Sequence, residues 1–468
     1  MSEPAVETPF SDRASAALRD RFLQEALGIA TTKFIGLRRE SFDGFPQGDA
    51  LRDQARSIKE ATLERLDEHL TRLADNVEAA GGHVHWADTA QEAREIILRL
   101  CRDKGVRMAV KSKSMATEEI ELNEALERAG VTPVETDLGE YIIQLAHEKP
   151  SHIIAPAIHK TKAQVAELIS QVAQAPLAAD AEVLTAAARV QLREKFLQAD
   201  MGITGANFAV AETGTVVLVT NEGNGRMVTS LPRIHVAVMG IDKVIPSMTD
   251  LAVFLAILAR SATGQKLSVY TTFVRGPRRS TELEGPDELH LILMDNGRSG
   301  QIAGPLREAL YCLRCGACLN VCPVYRQIGG HAYGHTYPGP IGILLTAMLN
   351  GTESVKELAH ASSLCGACKD VCPVRIDIPR MLIELRQHIG EEKVAPRTER
   401  VVFRVFRRLA MSPAAFALSA RIGRLLQRPF ARAGRLRRLP LFLGRWTDAR
   451  DLPPVAARTF RERWKDLR

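Results

Sequence analysis

"CLRCGACLNVCPVY" (312–325) and "SLCGACKDVCPVRI" (363–376) are near copies of each other. Each holds Cys-Gly-Ala-Cys, three further residues and then Cys-Pro. They differ at one place. Cys312 opens the first copy, whereas Ser362 stands at the equivalent position ahead of the second. Seven of the chain's eight cysteines lie between 312 and 372, so their spacing decides how this part folds.

Cys312, Cys315, Cys318 and Cys322-Pro323 follow C-x2-C-x2-C-x3-C-P, the run that holds iron–sulfur clusters in bacterial ferredoxins. A cubane cluster offers one open site per iron, best met by a soft thiolate. Thiolates two residues apart wrap a turn of backbone around one cluster corner, and small residues such as Gly316 and Ala317 permit that approach. Pro323 breaks the local helix, so the fourth cysteine faces away. In two-cluster ferredoxins that cysteine serves the neighbouring cluster. The rule predicts Cys312, Cys315, Cys318 and Cys372 on a first cluster, and Cys322, Cys365 and Cys368 on a second. Ser362 stands where the second cluster's fourth thiolate would be. Two clusters are expected, 4Fe-4S in type. The second is open to isolation as 3Fe-4S, or to a last iron held by water, Ser362, an outside ligand or a partner. Zinc also binds pairs of C-x2-C, but zinc sites rarely add a third cysteine two residues on or end twice in Cys-Pro.

Composition frames these motifs. The chain has 468 residues, 46% hydrophobic and 25% charged, ordinary values for a globular chain of two to four domains. The opening "MSEPAVETPFSDR" has no apolar core, and no run of about 18 apolar residues occurs. The chain is therefore expected in the cytoplasm, where crowded cysteines favour metal over disulfides. The net charge of +7 is unevenly spread. Residues 397–468 carry 19 Lys and Arg against 5 Asp and Glu, a net of +14 that leaves −7 on the rest.

Helical periodicity covers the first 75 residues or so, including "DALRDQARSIKEATLERLDEHLTRLADNVEAAGG", which reads as one long helix closed by Gly81-Gly82. Strands and helices then alternate: "HVHWA" and "HIIAPAI" as strands and "RMAVKSKS" as a strand and loop, with helical patterns between. A helical stretch from Thr161 to about Asp200 precedes "TVVLVT" and "IHVAVMG", short β-branched runs of the kind buried in a parallel sheet. "ELHLILMDNG" is the last strand, and "SGQIAGPLREAL" opens a helix into the first cysteine motif. The rhythm is that of an α/β chain with a mostly parallel sheet. The expected divisions are a helical region 1–65, an α/β domain 66–300, a two-cluster ferredoxin-type domain 301–388, mainly α-helical, and a basic helical region 389–468.

Nearly the whole chain resembles the lactate-utilisation protein B family of bacterial iron–sulfur proteins. The resemblance rests on "CLRCGACLNVCPVYRQIGGHAYGHTYPGPIG" and "SLCGACKDVCPVRIDIP", with "ETDLGEYIIQL", "FAVAETGTVVLVTNEGNGRM" and "RIHVAVMGIDKVIP" before them. It implies that 66–300 is a lactate-utilisation (LUD) domain, related in fold to the sugar-phosphate isomerase and CoA-transferase superfamily. It also implies an electron-transfer subunit of a complex oxidising L-lactate to pyruvate. The implied partners are a cysteine-rich-motif subunit and a second LUD-domain subunit. Ser362 then belongs to the family pattern. Which subunit meets lactate, and so whether this chain is itself an enzyme, does not follow.

Other residues carry weaker signals. "NEGNGR" (221–226) offers backbone amides to an anion or is turn chemistry alone. Glu212 sits where fold analogy with CoA-transferases would look for a nucleophile. Lys111 and Lys113 read as anion-binding or solvated loop residues, His331 and His335 as hydrogen-bond donors rather than ligands, and Cys101 as a buried apolar residue. No catalytic residue is assigned. The basic tail suits an acidic partner subunit or, peripherally, an anionic membrane surface. Nucleic acid is not expected, since no binding motif accompanies the charge.

Overall fold

The computed structural model describes residues 8–392, 397–440, 443, 444, 447 and 450–467. The opening MSEPAVE and several tail positions that entered the sequence reading lie outside these described residues. The described chain divides into two compact units, Met1–Ile389 and Gly390–Arg468.

The first unit is built on strands β1 (His83–Ala87), β2 (Met108–Lys111), β3 (Thr132–Glu135), β4 (Met201–Gly205), β5 (Phe208–Val210), β6 (Thr215–Thr220), β7 (Ile234–Gly240), β8 (Val244–Ile245), β9 (Tyr270–Val274) and β10 (Glu288–Met294). Six form a parallel sheet in the order β1-β10-β7-β4-β2-β3. Four form a mixed sheet in the order β8-β5-β6-β9. All seven residues of β7 are buried, as expected of a central parallel strand covered on both faces. Ile97, Leu126, Met201, Ile203, Val236, Val238 and Ile292 pack in one core, each fully buried aliphatic side chain contributing about 1.5–3 kcal/mol. Cys101 belongs to this core, and burial raises its thiol to about 11.

Close packing makes one glycine obligatory. A Cβ on Gly202 of β4 would lie 2.0 Å from the Val228 carbonyl oxygen, so helix Asn224–Ser230 rests directly on the strand.

Several elements differ from the sequence reading. The long helix is two, Gly48–Glu64 and Leu66–Ala79, broken where Arg65 leaves helical backbone at φ −128°. "HIIAPAI" forms no strand. His152 Nδ1 accepts the amides of Ile154 and Ala155, and the Ser151 amide donates to Pro156 O. These local bonds use up amides a ladder would need. Residues 299–311 make two short 3-10 turns, Ser299–Gln301 and Arg307–Tyr311, instead of a helix, with Gly300, Gly304 and Pro305 interrupting any longer ladder.

In the second unit, helices Arg397–Met411 and Pro413–Leu426 run in sequence. Val401, Val402, Phe403, Val405 and Phe406 are at least half exposed among the arginines of the first. Among the described residues no helix is long and apolar enough to cross a membrane.

Candidate iron–sulfur centre

The sequence repeat is also a backbone repeat. Arg314 and Gly316 have φ of +60° and +74°, and Leu364 and Gly366 have φ of +55° and +89°. Each Cys-Gly-Ala-Cys therefore turns through two left-handed residues around Cys315 or Cys365, a conformation that glycine takes at little cost. A short helix follows each turn, Ala317–Asn320 and Ala367–Val371.

These turns aim backbone amides at sulfur. The Arg314 amide donates to Cys312 Sγ at 3.3 Å and the Ile376 amide to Cys372 Sγ at 3.4 Å. The backbone at Ala317, at Val324 and Tyr325, and at Lys369 likewise favours negative charge on Cys315, Cys322 and Cys368. Such bonds offset negative charge on a cluster and tune its potential.

Cys372 of the second motif lines one small cavity with Cys312, Cys315 and Cys318 of the first, closed by Ile153, Ile341, Val374 and Ile376. Cys322 of the first motif lies within charge–charge reach of Cys365 and Cys368, and Cys318 lies within reach of Cys368. Six of the seven thiols are buried and Cys365 is exposed. Helices near the N-terminus hold the second motif. Arg52 donates to Cys372 O through Nε and Nη2, Arg38 to Val371 O and Arg56 to Arg375 O.

The donor set fits iron–sulfur chemistry. Burial pushes the thiols up, Cys315 and Cys368 to about 12 and Cys372 to about 11, so thiolates at these positions need a cationic centre. Tetrahedral zinc with bonds of about 2.3 Å draws its thiolates to about 3.8 Å apart. Among the described residues no three of these sulfurs lie within 4.8 Å of one another. Near Cys312 stand Lys59, Lys243 and Arg314, and Lys243 Nζ donates to Cys312 O at 2.6 Å.

A cavity of about 610 Å³ opens beside this centre. Its wall combines the carboxyl ends of β2, β4 and β7 with Leu313, Arg314 and Cys315. Lys113 faces it and pairs with Asp137 at 3.4 Å. Glu222 and Asn224 of "NEGNGR" reach it too. The Glu222 carboxylate accepts the Leu138 amide, and burial beside Asp137 raises it.

The remaining singled-out residues fall elsewhere. Lys111 is neither solvated nor in a loop: it is buried in β2 on Glu135, with Glu118 at 3.8 Å. Glu212 caps helix Met248–Thr263 through the Met248 amide and is outside the cavity wall. His331 and His335 meet the backbone carbonyls of Lys149 and Ser354. Arg314 and Lys243 were missed in the sequence. Arg314 sits inside the cysteine motif as a spacer, and nothing local reveals what its side chain meets.

Residues 70–294 match the LUD domain family, 308–376 the 4Fe-4S dicluster domain, and 384–467 the family described as lactate utilisation protein B, C-terminal. The lactate utilization protein B of Shouchella clausii is 45% identical over 98% of this chain and 97% of its own length. That of Oceanobacillus iheyensis is 43% identical over 100% and 98%. A crystal structure of a DUF162 family protein from Deinococcus radiodurans covers 49% of this chain and 98% of its own, at 15% identity and a TM-score of 0.27. With full-length identity above 40% to these relatives and a 4Fe-4S dicluster domain in place, the chain belongs to the lactate utilization protein B family, iron–sulfur proteins of lactate utilisation.

Proposed function

We propose that this chain is the iron–sulfur electron-transfer subunit of a cytoplasmic complex that oxidises L-lactate to pyruvate. It would work with a cysteine-rich-motif subunit and a second LUD-domain subunit. In this reading Cys312, Cys315, Cys318 and Cys372 hold the first cluster, and Cys322, Cys365 and Cys368 the second. The observation that carries the ligand set is the shared cavity of Cys372 with the first motif. The clusters supply one-electron transfer when bound. The chain's own part is to bury the first set of thiols, donate amides to their sulfurs and leave Cys365 at the surface, where electrons can pass to a partner. The domain divisions and the kinship with the sugar-phosphate isomerase and CoA-transferase superfamily belong to the same reading.

The basic tail docks on an acidic subunit, with an anionic membrane surface as the rival. Exposed apolar side chains set among arginines support an interface of either kind. A second reading has the LUD domain itself bind or oxidise a 2-hydroxy or other organic acid. The large cavity beside Cys315 favours it. A redox sensor or scaffold is the non-enzymatic rival.

Anaerobically purified chain is expected to hold close to two clusters, with iron matched by acid-labile sulfide. Zinc without sulfide after anaerobic reconstitution would remove the central claim. Lactate oxidation is then assayed for the chain alone and with its candidate partners. Turnover only in the assembly supports the transfer role, turnover alone supports the second reading, and none in either state supports a sensor.

A further inference from the structure

The cavity beside Cys315 has no task in electron transfer, and its wall carries an unmet demand. In open parallel sheets, ligands settle outside the carboxyl ends of the strands where the strand order reverses. Here β2 has β3 on one side and β4 on the other, with β7 and β10 continuing beyond β4. The crevice between β2 and β4 is that reversal. Ser112 and Ser114 line the cavity from the end of β2, and Gly205 and Ala206 from the end of β4.

Arg314 is the group that needs explaining. Its side chain is 9% exposed, and neither Nη1 nor Nη2 has a hydrogen-bond partner among the described residues. The guanidinium lies over the Tyr337 ring, 5.0 Å from its centroid, which holds its plane. Asp242 Oδ2 is 3.8 Å away, beyond hydrogen-bond reach. Asp242 Oδ1 is engaged by Arg298 at 2.8 Å, whereas Oδ2, 3.3 Å from Lys243 Nζ, has no hydrogen-bond partner among the described residues and cannot serve both arms of the Arg314 fork. Three cationic side chains, Lys243, Arg298 and Arg314, thus face two buried carboxylates, Asp242 and Glu119, and Lys59 meets the Asp242 backbone carbonyl. Negative charge on a cluster would offset part of that surplus through space. It would not supply the pair of in-plane oxygens that a guanidinium fork takes. A carboxylate does so bidentately.

We propose that this cavity binds a short organic acid bearing an oxygen on the carbon next to its carboxylate, a 2-hydroxy or 2-oxo acid, with the carboxylate on Arg314 and Lys243. Ser112 and Ser114 on the same wall offer hydroxyl donors to the second oxygen, and the carboxylates of Asp137 and Glu222 can accept from it when it is a hydroxyl. The choice of acid rests on the lactate-utilisation reading, whereas the carboxylate site rests on the Arg314 geometry. The volume is that of an ordinary small-molecule pocket and admits acids longer than three carbons. A bound acid would lie against Cys315, beside the first proposed cluster.

The test titrates the full, anaerobically reconstituted chain with L-lactate, pyruvate, acetate and inorganic phosphate by calorimetry, with iron and sulfide measured on every sample. Lactate or pyruvate is expected to bind at one site per chain, at least tenfold tighter than acetate or phosphate. Arg314→Gln should weaken that binding at least tenfold at unchanged iron content. Because Arg314 lies between two cysteines, Ala206→Phe provides a second variant. It fills the crevice from the end of β4, outside the cysteine motifs, and should abolish binding. The site is overturned if iron-replete chain binds no acid, or if Ala206→Phe binds as the parent does. It is equally overturned if acetate or phosphate binds as tightly as lactate. Chain that binds no acid yet passes electrons to its partners loses this inference and keeps the transfer role. Chain that binds acid at Arg314 yet passes no electrons does the reverse.

Discussion

The Ser362 hydroxyl accepts a hydrogen bond from the Leu364 amide at 3.2 Å, just as the Cys312 sulfur accepts one from the Arg314 amide at 3.3 Å. The serine therefore fills, in space, the place that the repeat gives to a cysteine. A protonated oxygen is a poorer iron ligand than a thiolate. Mild oxidation is expected to remove the iron nearest Ser362 first, leaving a three-iron signal in electron paramagnetic resonance. Ser362→Cys, which restores a thiol at the end of the same turn, should suppress that signal. An undiminished signal in the variant would show that the vulnerable iron lies elsewhere.

Cys372 offers the reciprocal experiment. Cys372→Ala is expected to damage the cluster built on Cys312, Cys315 and Cys318, because these four residues line one cavity. Iron counts and low-temperature spectra of the reduced variant would report which cluster is lost. Loss confined to the Cys365 and Cys368 centre would mean that each motif serves its own cluster.

Replacing Arg421, Arg424, Arg428, Arg432, Arg435, Arg437 and Arg438 by Gln should abolish assembly with an acidic subunit or attachment to anionic vesicles, at unchanged iron content. Salt should weaken either association in the parent, since the Debye length is about 8 Å at physiological ionic strength. Co-sedimentation that survives both treatments would leave the tail without an electrostatic role.

A pH effect follows from β7. Burial, with His290 nearby, lowers His235 to about 3, and its Nε2 lies 2.9 Å from Thr204 Oγ1. A histidine kept neutral in the fold contributes stability that is full above the free value of about 6.5 and is lost as pH falls toward its folded value. Urea titrations should show stability falling between pH 6 and pH 5 by roughly 1 kcal/mol for this group. His235→Gln should flatten that slope by a similar amount. Parallel slopes for the two proteins would exclude His235 as the source.

What the sequence disclosed depended on how local the cause was. β7 was legible because "IHVAVMG" is apolar at nearly every position, and the cysteine turns because spacing alone marks them. β9, "YTTFV", pairs with β6 through a half-polar run that carries no such signal. "HIIAPAI" reads as a strand by composition, but the His152 imidazole claims its amides. Lys111 was misjudged because its partner, Glu135, is its register neighbour on β3, 24 residues away. Arg314 could not be read at all, since Tyr337 and Asp242 come together around it only in the folded chain.

The grip of Arg52 on the Cys372 carbonyl spans 320 residues. It sets an order in time as well as in space. During synthesis, at roughly 5–20 residues per second, the first cysteine motif is made several seconds before Cys372 exists. Under the proposed ligand set, three thiols then wait without their fourth, while the helices that will clamp it have long since been made. Iron delivered in that interval meets an unfinished centre. Under that ligand set the first cluster can be completed only when the last of its ligands has been translated and caught by the beginning of the chain.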